Sequence, residues 1–206
     1  PFGLVEYERV VQLDSDMLIL KNMDELMDIP LDSAELAGRG DRVFAASHAC
    51  VCNPLKKPHY PKEWVPANCA FTTQHDNPDE AQKTGASPLV VVPSTEVYNL
   101  IQEGLQSSVT ASYEFADQSM LSDLFPGRWV ALPYIYNALK TLRWSGVHDA
   151  IWRDDEVKNA HILLSPKPWD EVGADKGKND ETHKWWWNYN DRRQAEEKSR
   201  NIDDGF

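Results

Sequence analysis

The sequence predicts an α/β fold on three observations. Short segments rich in branched and aromatic residues recur along the chain, helix-period apolar stripes lie between some of them, and 206 residues with 41% hydrophobic content suffice for one buried core. The strand-like segments are Glu8–Leu13, Arg42–Ser47, Leu89–Val92, Arg128–Leu132 and Ala160–Leu164. A helix is expected from Thr95 to Gln106, where Val97, Leu100, Ile101 and Leu105 form one apolar stripe after a Pro93-Ser94 start. A second runs from Asp117 to Phe125 with Met120, Leu121 and Leu124 inward, and Pro126-Gly127 stops it. Asn53–Pro88, heavy in Pro, Lys, Asn and Thr, and the charged Asp170–Lys184 read as surface loops. Residues 1–190 read as one domain, and 191–206 as a solvated helix end or disordered tail, because charges alternate there and apolar groups are few.

The net charge of −12 and pI near 4.9 argue against nucleic acid, which needs a positive stripe to neutralise phosphates. An anionic ligand on such a chain calls for a bridging metal. Three cysteines, Cys50, Cys52 and Cys69, are an odd set that argues against a disulfide framework and for a reducing compartment, so the expected location is cytoplasmic. No stretch approaches the length of a membrane span. The first residues, PFGLVEYERV, carry neither an initiator Met nor the features of a signal peptide, and read as a cut edge.

The stretch VVQLDSDMLIL, residues 10 to 20, places Asp14 and Asp16 in an apolar run. In an extended strand alternate side chains share a face, so the two carboxylates meet. They would repel each other and lose hydration unless they faced a cation or a solvated cleft at a strand end. Oxygen donors suit hard cations such as Mn²⁺ or Mg²⁺. The Asp-x-Asp spacing alone is weak in an aspartate-rich chain; the flanking apolar residues strengthen it, as do Asn22 and Asp24, candidate caps for a short helix.

Five separated segments, EYERVVQLDSDMLILKNMDEL, FADQSMLSDLF, LPYIYNALKTL, HILLSPKPW and HKWWWNYND, in that order, resemble the glycosyltransferase family that contains glycogenin and the plant galactinol synthases, family eight. The resemblance spans Glu6 to about Asp191, and among members it is most like fungal nucleotide-diphospho-sugar transferases. It implies a GT-A type, Rossmann-like α/β fold, here incomplete at the N-terminus because the family normally begins with one or more βα units before the aspartate strand. It implies retaining transfer of a hexose, glucose or galactose, from a UDP-sugar donor to a hydroxyl acceptor, assisted by Mn²⁺ with Mg²⁺ as the substitute. By the same resemblance Asp14, Asp16 and His161 are the metal ligands, Lys167 contacts the diphosphate, Asp117 and Gln118 act beside the anomeric carbon, and Asn137 lies near the sugar. The chain as given is expected to be catalytically silent, because the missing units supply most of the uridine pocket.

Taken singly, these residues have ordinary alternatives. His161 beside Ile162, Leu163 and Leu164 fits a packed core histidine, Lys167 a surface lysine, and Asp117 a helix cap. Trp185, Trp186 and Trp187 cannot form one sugar platform on a helix, since consecutive residues point about 100° apart, and at least one is expected to anchor the terminal helix. Two departures from the family pattern stand out: Gly85-Ala86-Ser87-Pro88 replaces an Asn-x-Gly, with Asn68 only an approximate substitute, and Leu164 replaces a glycine. A different class of reading also exists. The chain could be a non-catalytic remnant, or a zinc-stabilised interaction module assembled from His48, Cys50, Cys52, His59 and Cys69, against which the one-residue Cys-x-Cys spacing counts.

Overall fold

The computed structural model describes residues 1–72, 84–113 and 115–203. Its strands are β1 (Val10–Gln12), β2 (Met17–Ile19), β3 (Phe44–His48), β4 (Thr84–Val91), β5 (Val130–Leu132), β6 (Ala138–Leu139) and β7 (Asn159–His161). The longer helices are α1 (Thr95–Leu105), α2 (Ala116–Leu124) and α3 (Glu181–Ser199). The strands form two sheets, one in the order β1-β4-β3-β5 and one in the order β2-β7-β6. The β3–β5 and β6–β7 pairs are parallel and the others antiparallel.

Strand periodicity builds the core on both faces of the first sheet. Phe44 and Ala46 of β3, with Leu89 and Val91 of β4, face α1 and α2, where they meet Val97, Ile101, Met120, Leu121 and Phe125. The alternate residues Ala45 and Val90 take the other face and pack with Leu26 and Leu132. The hydroxyl of Ser94 caps α1 by accepting from the Val97 N–H at 3.4 Å. Of the stripe expected on α1, Val97 and Ile101 are buried, but Leu100 and Leu105 are 42% and 46% exposed, because α1 presents only a narrow face to the sheet.

The aspartate strand is shorter than expected. Asp14 and Asp16 lie in the turn between β1 and β2, where the Met17 N–H donates to the Asp14 carbonyl at 3.2 Å, so the chain leaves one sheet and enters the other across the two carboxylates. The apolar residues after them form β2, and the Asn22 side chain accepts from the Asp24 N–H at 2.9 Å at the start of a 3-10 turn over Asp24–Asp28.

Both expected loops contain more structure than their composition suggests. β4 begins at Thr84, inside Asn53–Pro88, and Trp64, Asn68 and Cys69 of that stretch are buried; residues 73–83 lie outside the described residues. Asp170–Lys184 holds the buried Glu171, Thr182 and His183 and the start of α3, because Glu171 is paired with His183 instead of with solvent. α3 continues through residue 190 to Ser199; residues 204–206 lie outside the described residues. The three indoles leave α3 in three directions. Trp185 enters the core of the second sheet, Trp186 stands 5.7 Å from the Trp169 ring, and Trp187 donates to the Glu171 carboxylate at 3.1 Å.

Candidate active site

Strand register brings the candidate ligands together. In the antiparallel β2–β7 pair Met17 lies opposite His161, and the Ile162 N–H donates to the Asp16 carbonyl at 2.9 Å, which fixes His161 beside the aspartate turn. The Nε2 atom of His161 is 3.1 Å from Asp16 Oδ1 and 3.6 Å from Asp14 Oδ2, and the three side chains offer donor atoms all within 4.8 Å of one another. On the other side of the ring, His161 Nδ1 lies 2.8 Å from Asn137 Oδ1. An amide oxygen only accepts, so Nδ1 donates to Asn137, which turns the ring so that Nε2 faces the aspartates. Two carboxylates and one imidazole are a donor set that suits a divalent cation such as Mn²⁺.

Lys167 reaches the same point. Its Nζ donates to Asp16 Oδ2 at 2.5 Å and to the Ile162 carbonyl at 2.6 Å. Burial alone would push the Asp16 carboxyl up, but hydrogen bonds and charge from His161 and Lys167 outweigh it and hold the group well below the usual carboxylate range. The local environment thus already favours negative charge on Asp16 facing positive charge.

A cleft of about 380 Å³ opens beside these groups, and its lining includes Asp14, His161, Asn137, Asp117 and Gln118. Asp117 and Gln118 stand in the first turn of α2, where the Asp117 carboxylate accepts from the Gln118 N–H at 3.0 Å; the cap position itself is Phe115. All the site residues expected from the sequence therefore line the cleft or, for Asp16 and Lys167, stand beside His161 at its edge. Asn68 does not substitute for the lost asparagine: it is buried and donates to the Glu63 carbonyl at 2.7 Å.

The loop after His161 is clamped from beneath by a buried polar chain. Lys140 Nζ donates to the Pro166 carbonyl at 3.2 Å, approaches the Leu164 carbonyl at 3.4 Å, and lies 3.1 Å from His183 Nε2. His183 Nδ1 meets Glu171 Oε1 at 2.6 Å, and Glu171 also accepts from the Gly177 N–H, Asn179 and Trp187. Burial raises the Glu171 carboxyl, and these bonds, His183 first, overcome it and bring the group down to about 2. Burial lowers Lys140. Leu164 sits above this clamp at φ 68°, in the left-handed region that favours glycine, which is a physical reason for a glycine at this place in the family motif. Lys140, Glu171 and His183 were not singled out from sequence, although the motifs that hold Lys140 and His183 were.

No protein-family model matches the chain. In sequence it is similar to galactinol synthase 1 of Solanum lycopersicum, 28% identical over 199 residues covering 91% of this chain and 54% of that protein. It is also similar to galactinol synthase 3 of Arabidopsis thaliana, 27% identical over 199 residues covering 91% and 55%. The chain spans about half the length of these relatives. Among solved structures it shares its fold with the glycosyltransferase GlyE of Streptococcus pneumoniae TIGR4, at TM-score 0.53 and 17% identity over 90% of this chain and 40% of that one. The bifunctional glycosyltransferase WbbM matches at TM-score 0.51 and 22% identity, over 80% and 30%. The chain therefore has the GT-A type α/β fold of these glycosyltransferases, and its resemblance to the family of glycogenin and the galactinol synthases is carried by sequence relatives as well as by motifs.

Proposed function

We propose that this chain carries the metal, diphosphate and sugar contacts of a UDP-hexose-dependent, retaining glycosyltransferase. The observation that carries the reading is the convergence of Asp14, Asp16 and His161 on one point, at the edge of a cleft that Asp117 and Gln118 also line. Asp14, Asp16 and His161 would hold a Mn²⁺ or Mg²⁺ ion, which when bound neutralises charge on the departing diphosphate without a proton transfer. Asn137 fixes the direction of the His161 ring. Lys167, paired with Asp16 of the donor set, adds a fixed ammonium where diphosphate charge develops. Asp117 and Gln118 occupy the cleft wall, where a hexose on that diphosphate would present its hydroxyls. Their role beside the anomeric carbon rests on the family resemblance.

Likeness to galactinol synthases makes galactose the first sugar to try, with a hydroxyl compound as acceptor. No described helix is long and apolar enough to cross a membrane, and three free cysteines fit a reducing compartment such as the cytoplasm. The test is isothermal titration of Mn²⁺ into the chain and into Asp16→Asn, with UDP-galactose and UDP-glucose present in turn. The reading predicts Mn²⁺ binding by the parent chain that is greatly weakened in the variant. No binding by the parent, or binding indifferent to the substitution, would contradict it.

A further inference from the structure

On the opposite wall of the cleft, Cys50, Cys52, Cys69 and His148 place three sulfurs and one imidazole nitrogen within 4.8 Å of one another. His148 Nε2 lies 3.1 Å from Cys52 Sγ and 3.4 Å from Cys69 Sγ, and Cys69 Sγ is 4.0 Å from Cys50 Sγ. We propose that these four residues bind one structural zinc ion that pins the irregular segment 49–72 as a wall of the cleft.

Zinc–sulfur bonds near 2.3 Å and zinc–nitrogen bonds near 2.0 Å at tetrahedral angles require sulfur–sulfur edges of about 3.8 Å and sulfur–nitrogen edges of about 3.5 Å. The observed separations fall on both sides of those values, so a central ion needs only small adjustments. Hydrogen bonding explains the cluster less well. A single ring nitrogen stands near two sulfurs at once and offers one proton or one lone pair, whereas a cation at the centre satisfies all four groups. Three thiols and an imidazole with no carboxylate among them are a soft set that favours zinc over Mn²⁺. Four protein ligands leave no open position, which marks a structural ion and not a catalytic one. Cys52, Cys69 and His148 are buried, and Cys50 half-buried, among Val51, Trp64, Phe71 and Phe115.

The need for a staple is visible in the chain. Segment 49–72 contains no regular element except a 3-10 turn over Pro66–Asn68, yet Cys50, Asn53, Tyr60 and Trp64 all line the cleft. The Cys-x-Cys spacing works because alternate side chains of an extended chain leaving β3 share a side. His48 and His59, the histidines near in sequence, go elsewhere: His48 packs against Trp129 and His59 against Tyr60.

The experiment uses the untagged full chain. Its metal content is measured by mass spectrometry after dialysis against a chelator; p-hydroxymercuribenzoate is then titrated in while released zinc is read with a chromophoric chelator, and a cobalt-substituted sample is examined by absorption. We expect one zinc per chain that survives dialysis and leaves as three thiols react, with thiolate-to-cobalt charge-transfer bands in the cobalt form. Cys69→Ser and His148→Ala should lose the zinc, whereas Asp16→Asn should keep it, which separates this site from the aspartate site. A chain without zinc whose three thiols titrate freely, a cobalt form without charge-transfer bands, or a Cys50–Cys69 disulfide would each overturn the proposal. The wild-type cobalt spectrum decides the matter even if the variants fail to fold.

Discussion

The two walls of the cleft are held by different means. The wall that follows His161 rests on a continuous buried polar chain, Lys140 to His183 to Glu171, whose members come from the 3-10 turn after β6, the start of α3 and the turn after Pro168–Asp170. The wall of residues 49–72 rests on aromatic stacking, such as Trp64 on Phe115 at 4.6 Å, and on the cluster of three thiols and His148. The first wall holds charged groups that stabilise one another only as a complete set; the second holds soft donors that share one centre. Placing the charge-handling groups on the first keeps His161 and Lys167 beside the aspartates.

Breaking the first wall should have the largest effect. His183→Ala leaves Lys140 and Glu171 buried without their shared partner, and loss of one member of such a set costs about 3–5 kcal/mol. Urea unfolding should show that loss, together with weaker Mn²⁺ binding as the 161–171 loop loosens. A loss below about 1 kcal/mol would mean that the clamp is incidental.

The same wall should have a pH signature. The Glu171 carboxyl is lowered from the usual 4.5 to about 2, so its contribution is fully present above pH 4.5 and is lost as the pH falls toward about 2. Its side chain is 2% exposed, and the contribution is on the order of 3 kcal/mol. Glu171→Gln should therefore be less stable than the parent at pH 7, and the gap should narrow below pH 4.5. A gap constant down to pH 3 would assign the effect to packing.

A smaller change sharpens the link between the wall and the metal donors. Asn137→Ala removes the partner of His161 Nδ1 and should weaken Mn²⁺ affinity by about 10- to 100-fold, with little change in global stability. The smallest effect is expected at Leu164. Relief of its left-handed backbone offsets the extra flexibility of glycine, so Leu164→Gly should stay within about 1 kcal/mol of the parent. Leu164→Val, β-branched at the same φ, should cost more.

How legible each wall was in the sequence follows the same division. Asp14, Asp16, His161 and Lys167 were readable because each sits in a short contiguous motif, and β-register then brought them together. The shortened aspartate strand was not readable, since the apolar run continues through the turn and composition does not show a change of sheet. Glu171 and His183 looked like loop charges because the contacts that bury them reach across the sequence, with His183 12 residues from Glu171 and 43 from Lys140. His148 gave no sequence signal at all: it stands 96 and 79 residues from the cysteines it joins, in a turn whose neighbours carry no metal-binding pattern.

The central claim, that the aspartate turn and His161 form a metal site for a nucleotide-sugar diphosphate, is tested most directly by pulsed electron paramagnetic resonance of Mn²⁺ bound to the chain with UDP. The account predicts two hyperfine couplings on the same ion, one from a histidine nitrogen that disappears in His161→Ala and one from UDP phosphorus that persists. A Mn²⁺ spectrum with neither coupling, or with a nitrogen coupling that survives His161→Ala, would contradict it.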